Sequence, residues 1–500
     1  MNNRVGRPHT QIHLIASLHK ENNMKSNHRP SPRKLILGLA LASAFSANVG
    51  ATDLMDAFEQ ARTSDPQLAA AEAASLATRE GVVISRSALL PQVSGSASLT
   101  DTDGSSRSRS LERLDDGSFI PRETSGSSDS RARNYSISLS QSIYDHSNYT
   151  RLRASRARAD RSQADYDAAQ QGLMLRVSES YFNVLTAIDS LAFARAEQRA
   201  VKRQLDQAEQ RFEVGLTAIT DVHEARARYD GSRAAAIAAS NALDDQREFL
   251  AEITGRYMEN LRGLGDTFKP QLPEPANAGK WVDVALQASP TLRASELALL
   301  AAGHDVDTAR SGHLPRLSLS AGRSNSDNWG EASNFGFSIP TAGSSQGNTI
   351  GLTLNVPIFS GFATQAGVRQ AIYNRDATQD RYEQDRRAVT RSVRNAYRAL
   401  EAGISEIAAR EQALVSARSA LEATEAGFEV GTRTIVDVLL SQQQLFQAQR
   451  DYSQARHNYL VNGLRLKTSA GDIKVDDLKR VNALLSTDAE AGLAEEPAEG

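Results

Sequence analysis

There is no cysteine in the 500 residues, which excludes disulfide scaffolds, thiol nucleophiles and Cys-ligated zinc. Aromatics make up only 6% and hydrophobic residues 40%, much of that share alanine. Alanine builds helices but gives a thick globular core little volume, so the two to four ordinary domains that the length would allow are disfavoured. The formal net charge of −3 gives no electrostatic case for nucleic acid. The 14 prolines leave two long gaps, from Pro121 to Pro270 and from Pro357 to Pro497. Proline breaks helix interiors, so these gaps predict helices several times the usual length.

At the N-terminus, Arg29, Arg33 and Lys34 precede an apolar run, Leu35 to Ala47, and then the small residues Val49-Gly50-Ala51. This is the pattern of a secretory signal segment, expected over 1–51 with a start at Met24 and cleavage near Thr52. Its removal takes seven Lys/Arg and one Asp/Glu from 57 and 60, leaving 50 against 59 and a net of −9. No later stretch reaches the 18 apolar residues of a spanning helix. Periplasmic, extracellular and outer-membrane β-barrel readings remain open.

The rest of the chain repeats itself. Ser64-Asp65-Pro66-Gln67-Leu68 matches Ala288-Ser289-Pro290-Thr291-Leu292, and Leu89-Leu90-Pro91-Gln92 matches His313-Leu314-Pro315-Arg316, both 224 positions on. Arg211-Phe212-Glu213-Val214-Gly215 matches Gly427-Phe428-Glu429-Val430-Gly431 at an offset of 216, as Thr254-Gly255 matches Ala470-Gly471. The unit is domain-sized, far longer than a solenoid repeat, and predicts repeats over 52–280 and 281–475. Each carries a series spaced by seven: Val177, Val184, Leu191, Gln198, Leu205 and Phe212 in the first, apolar except at Gln198, and Val393, Leu400, Ile407, Leu414, Leu421 and Phe428 in the second. That spacing means coiled-coil packing, which a soluble four-helix bundle would also show. Val214-Gly215 and Val430-Gly431 suit the turns of helical hairpins. A helix over 146–212 would be about 100 Å long.

Four short segments alternate with period two: Val93 to Leu99, Ile137 to Ile143 with Gln141 interrupting, Leu317 to Ala321, and Ile350 to Val356. The Ser/Gly/Asn/Asp-rich stretches Asp101 to Arg133 and Arg323 to Asn348 read as connecting loops. Four strands cannot close a barrel, and an open sheet edge is not tolerated in lipid. Several chains must share a barrel, or the sheet is soluble. Two chains would give eight strands with a filled interior, so a pore favours three chains and twelve strands.

Catalytic motifs are thin. His146, His223, His304, His313 and His457 form no metal-ligand pair at helical spacing and read as solvated surface. Gly343-Ser344-Ser345-Gln346-Gly347 fits G-x-S-x-G but lacks the strand-before, helix-after context of a nucleophile elbow. No Walker A sequence is present. No enzyme activity, cofactor or metal is expected. Residues 476–500 hold many acidic and few large apolar residues and are expected to form a largely disordered acidic tail.

The signal segment, the duplicated unit and the strings Ser180-Tyr181-Phe182-Asn183-Val184-Leu185, Arg203-Gln204-Leu205-Asp206-Gln207, Ala218-Ile219-Thr220-Asp221-Val222 and Gly431-Thr432-Arg433-Thr434-Ile435-Val436-Asp437-Val438-Leu439 resemble the TolC-type outer-membrane efflux proteins over residues 52 to 485. The resemblance implies an α+β membrane protein: a homotrimer whose twelve-stranded outer-membrane β-barrel continues as a long α-helical coiled-coil tunnel in the periplasm. It implies a passive duct for drug efflux or type I secretion, working in outer-membrane lipid with a periplasmic adaptor and an inner-membrane pump, either a drug transporter or a secretion ATPase. A secreted filament-like coiled-coil protein is the alternative.

The resemblance also points to a periplasmic entrance at the hairpin tips. Arg433 would tie helices together through Thr220 and Asp221, Gln204 would link to Glu425, and Asp437 would contribute one carboxylate per subunit to an acidic ring. Two residues depart from the family pattern: Phe428 stands where a tyrosine would supply a hydroxyl, and Leu440 where a second acidic ring can occur.

Overall fold

The computed structural model describes residues 52–265, 268–334, 337–490 and 493. The expected signal segment and residues 494–500 lie outside them. The chain begins with α1 (Leu54–Ser64) and α2 (Pro66–Ser87), followed by β1 (Gln92–Arg113), β2 (Phe119–Tyr144), α3 (His146–Glu213), α4 (Ile219–Thr254) and the short β3 (Arg262–Leu264). The same order recurs as α5 (Ala278–Ala288), α6 (Pro290–Arg310), β4 (Arg316–Asn334), β5 (Phe337–Asn355), α7 (Ala363–Glu429) and α8 (Ile435–Ser469). The chain then adds α9 (Val475–Asn482) and β6 (Leu485–Asp488).

Local chemistry sets the joints. Asp65 ends α1 and caps α2, its carboxylate accepting from the Leu68 amide at 2.9 Å, with Pro66 in the first turn. Ser289 and Pro290 do the same at the α5–α6 joint. Proline suits this position because its missing N–H would have no helical partner there. Helix α3 spans 68 residues, about 100 Å. Both hairpins turn on a glycine with positive φ, Gly215 and Gly431, each at 75°.

The long helices follow one another in the packing order α4–α3–α8–α7. Where α1, α5, α9 and the β3–β6 pair lie against them, one core gathers Phe58, Val177, Tyr181, Phe182, Leu250, Trp281, Val393, Leu400, Leu466 and Leu478. Tyr181 is fully buried, and its hydroxyl donates to the Arg262 carbonyl at 2.8 Å. A second core near the hairpin tips joins Val201, Leu205 and Val222 to Ile435 and Leu439.

The larger sheet is antiparallel in the order β1-β2-β4-β5, so β1 and β5 are its edges. The strands are far longer than the apolar alternation suggested. Asp101 to Arg133 and Arg323 to Asn348 were expected to be loops, yet both stretches consist largely of paired strand. A hydrogen-bonded ladder needs only backbone groups, so serine-rich sequence extends it without an apolar face. The pairing fixes two faces. Val93, Leu139, Ala321 and Ile350 make one row across the sheet. The adjacent rows point the other way: Ser94–Ser138–Gly322–Thr349, and Ser96–Ser136–Ser324–Gly347. Their hydroxyls pair across strands, Ser94 with Ser138 at 2.8 Å and Ser96 with Ser136 at 2.7 Å. Gln141, which breaks the alternation, ties β2 to the end of the α2 segment by donating to the Leu89 carbonyl at 2.9 Å.

The acidic tail expected from residue 476 is corrected as well. Residues 476–488 carry α9 and β6, and β6 pairs antiparallel with β3. Leu478 and Leu485 supply the buried apolar contacts. Asp477 is buried because Lys467 and Arg480 bond it. Beyond the strand, Glu490 bonds Arg247 of α4 at 2.6 Å.

Candidate functional site: the hairpin tips

The turns that end α3 and α7 present apolar side chains to solvent. Val430 is 75% exposed and Leu216 74%, and Val214 is also exposed. Behind them, the two hairpins meet through the second core. Arg211 of α3 lies over the ring of Phe428 of α7, its guanidinium carbon 4.8 Å from the centroid. A phenylalanine where a hydroxyl was expected thus makes a cation–π contact between the two repeats.

The second turn is built on Gly427. Its carbonyl accepts from the amides of Thr432 at 2.8 Å and Arg433 at 3.2 Å, and from the Thr432 hydroxyl at 3.0 Å. A Cβ on Gly427 would lie 2.7 Å from Cγ of Arg433, so the arginine stem folds back over bare backbone. In the sequence Gly427 stands only as the repeat partner of Arg211. The signal was available, because the matching residue Arg211 has a side chain and the matching turn has no arginine to accommodate.

Asp437 closes a capping box at the start of α8. Its carboxylate accepts from the Thr434 amide and hydroxyl, each at 2.9 Å, while its own amide donates to the Thr434 hydroxyl at 3.3 Å. These bonds from Thr434, with Arg433 nearby, hold its carboxyl below the usual carboxylate range. Asp221 stands in the first turn of α4, where the Thr217 hydroxyl bonds its carboxylate. Thr220 beside it is exposed.

Among the described residues the expected ties are not formed within one chain. Arg433 makes no ion pair with Asp221 among the described residues. Glu425 instead accepts from Gln442 of its own hairpin at 3.4 Å. The Gln204 side-chain carbonyl oxygen is buried without a hydrogen-bond partner among the described residues. Leu440 is 40% exposed, while its neighbour Leu439 packs inward.

Away from the tips, the expectation of solvated histidines fails at His457, which is 4% exposed. Thr186 spends its one hydroxyl proton on the Phe182 carbonyl at 2.8 Å, so it accepts from Nδ1 of His457 at 2.9 Å. Burial pushes the imidazole down to about 3, with Arg456 adding to the effect. Asp189, which accepts from the Ser453 hydroxyl, is pushed upward by its own burial. Gly343–Gly347 lies inside β5, continuous with strand on both sides and not a strand-to-helix elbow. Among the described residues no group of His, Asp and Glu is placed to hold a metal ion, and no helix is long and apolar enough to cross a membrane.

The family model for outer membrane efflux proteins matches residues 57–256 and 281–472. The chain belongs to the outer membrane efflux protein family. The two matched segments each contain a helical hairpin and a strand pair. The chain is 38% identical over 456 residues to the outer membrane protein TolC of Escherichia coli K12, covering 90% of this chain and 88% of that protein. It is 30% identical over 442 residues to the alkaline protease secretion protein AprF of Pseudomonas aeruginosa, covering 87% of each. Its fold matches the solved structure of CusC with a TM-score of 0.67 at 20% identity, over 85% of this chain and 95% of that one. Membership of the outer membrane efflux family places the protein in the outer membrane and sets aside the secreted-filament alternative.

Proposed function

We propose that three copies of this chain close a twelve-stranded barrel and a helical tunnel, forming a passive outer-membrane duct for drug efflux or type I secretion. The observation that carries this reading is the sheet, which has two free edges and two chemically distinct faces. Edge β1 and edge β5 run in opposite directions, so copies can add edge to edge in an antiparallel ladder and leave none open, as lipid requires. Eight strands would enclose only enough space for side chains, and the Ser and Gly rows would leave twelve strands with an open, hydroxyl-lined bore.

The apolar row faces lipid. From Val356 to the row of Tyr135, Asn325 and Gln346 is about ten residues. At ~3.3 Å per residue and a tilt near 40° this gives about 25 Å, the apolar height of an outer-membrane barrel. Beyond Tyr135 the same face becomes charged, with Arg133 bonded to Asp327 at 2.8 Å and Arg131 to Asp101 at 3.2 Å.

At the far end, the exposed Val214, Leu216 and Val430 suit an apolar partner, and we assign them to the periplasmic adaptor that couples the duct to an inner-membrane pump. Arg433, Thr220, Asp221, Gln204 and Glu425 would tie neighbouring hairpins across the entrance, and Asp437 would contribute to an acidic ring. Native mass measurement in detergent, followed by conductance in planar bilayers, tests the reading. A conducting trimer is expected. A stable monomer or dimer, or a trimer that never conducts, overturns it.

A further inference from the structure

In the order α4–α3–α8–α7, helices α4 and α7 stand at the two ends. On α7, Arg387, Arg391, Arg394 and Arg398 recur at spacings of four, three and four and share one exposed face. The buried Val393, Ala396 and Leu400 lie on the other side of that helix. Arg387 bonds Glu383 at 2.9 Å and Arg398 bonds Asn395 at 2.5 Å, but Arg391 and Arg394 have no ion pair among the described residues. On α4, Asp245, Glu248 and Glu252 share an exposed face, opposite the buried Leu243 and Leu250. None of the three acids has an ion pair among the described residues. Phe249, between them, is 58% exposed.

The two stripes lie at one level of the helical body. Glu252 lines the same groove as Glu179 of α3. Glu179 bonds Arg465 of α8 at 2.6 Å. One turn further along α8, Ser469 bonds Ser392 of α7 at 3.1 Å. Because α7 and α8 are antiparallel, Arg465 stands about level with residue 396 of α7, between Arg394 and Arg398.

We propose that the acidic edge of α4 in one copy packs against the arginine edge of α7 in the next, forming an ionic belt that sets which edges meet and at what register. The proposal rests on the three-copy reading and deepens it. A ring of identical subunits joins two different surfaces of the chain, and here the end helices are opposite in charge. Rotation about the ring axis without translation brings residues of equal level together, so Glu248 and Glu252 would face Arg394 and Arg398. Each exposed pair is weak, but meetings of like edges would repel, which is how such charge selects a partner.

Charge reversal tests this in the full-length chain. Arg394→Glu with Arg398→Glu should lower the trimer fraction in detergent about tenfold. Glu248→Arg with Glu252→Arg should do the same, and all four together should restore it. The absence of cysteine permits a second readout. Chains carrying Glu252→Cys with Arg394→Cys, treated with a short bis-maleimide, should give covalent trimers, whereas either single substitution should not. Reversals that leave the trimer fraction unchanged, or a four-fold variant no better than its parents, would overturn the belt. So would a trimer indifferent to reversal whose cation preference shifts, because the arginines would then line the lumen. A parent chain that is not trimeric defeats the three-copy reading itself, whereas a trimeric parent without cross-links defeats only the belt.

Discussion

Gly471 offers a sharp test of how the two repeats are fitted together. It follows α8 with φ of 72°, and a Cβ there would lie 2.6 Å from Cα of Ser289, 2.8 Å from its amide nitrogen and 2.8 Å from the Ala288 carbonyl oxygen. All three are backbone atoms of the α5–α6 joint, so no side chain can rotate away. Gly431 at the hairpin tip has nearly the same φ, 75°, yet a Cβ there meets nothing within 4 Å. Gly431→Ala therefore incurs only the left-handed penalty of roughly 1–2 kcal/mol. Gly471→Ala incurs that and an overpacking cost of about 1–3 kcal/mol. At a specific unfolding entropy of about 2 cal/mol/K per residue, a chain of this length loses roughly 1 °C of midpoint per kcal/mol. Thermal scans of helical circular dichroism at one fixed rate should show a shift of about 1–2 °C for Gly431→Ala and about 2–5 °C for Gly471→Ala. Asparagine tolerates the left-handed region, so Gly431→Asn should return close to the parent while Gly471→Asn stays impaired. Equal shifts at the two sites, or rescue of residue 471 by asparagine, would refute the reasoning, because contact and conformation would then not be separable as described.

Four further outcomes are expected. Arg433→Ala should raise single-channel conductance in planar bilayers, and a variant conducting no better than the parent counts against the assigned entrance. Asp437→Asn should weaken block by multivalent cations, since three facing carboxylates would focus negative potential; unchanged block removes Asp437 from the ring. Glu490→Gln removes the nearer carboxylate, at 2.6 Å, from Arg247, whose side chain is 13% exposed, and among the described residues leaves it only that of Asp244 at 3.8 Å; this should cost about 1–3 kcal/mol, seen as faster proteolysis of the C-terminal segment, whereas deleting 494–500 should change neither proteolysis nor assembly. For His457 the folded value lies below the ordinary 6.5, so its contribution is present above pH 6.5 and is lost as pH falls toward about 3, roughly 1 kcal/mol by pH 5.5; Asp189, shifted upward, offsets part of this, and His457→Asn should flatten the fall in melting midpoint between pH 7.5 and 5.5.

The helical half was legible because each repeat writes its packing locally. Val177, Val184 and Leu191 are buried seven apart, and Val393, Leu400 and Ile407 answer them. Gly215 and Gly431 mark both turns. The strands were legible only where lipid or core demands alternation. Val93 and Ile350 showed it, but Ser127, which bonds Ser333 at 2.6 Å in the extended ladder, did not, because a backbone ladder leaves no periodic signature on uniformly polar side chains. The C-terminal segment misled for a related reason. Its acidic composition suggested disorder, yet Asp477 is fixed by Lys467 and Arg480 and Glu490 by Arg247; composition does not register which charges pair, and Arg247 lies 243 residues away from Glu490.

The tip residues divide along a physical line. Some are explained within one chain: Gly427 under the Arg433 stem and Asp437 in its capping box act through their own turn, and Phe428 beneath Arg211 joins the two hairpins of the same chain. The ties expected of Arg433 and Gln204 have no such explanation among the described residues of one chain. Among the described residues Arg433 has no ion-pair partner, and the Gln204 side-chain carbonyl is buried and unsatisfied. An unpaired buried carbonyl costs free energy comparable to a lost hydrogen bond, which favours any assembly that brings it a donor. In the packing order α4–α3–α8–α7, Gln204 of α3 is interior while Arg433 precedes α8 at the tip. The two ties would therefore respond differently to opening. A tie through Arg433 can break by displacement of the exposed tip, whereas one through Gln204 requires α3 and α7 to shift along their length. If opening proceeds from the tips, Arg433→Ala should lower the barrier more than Gln204→Ala, and the double variant should add little to Arg433→Ala alone.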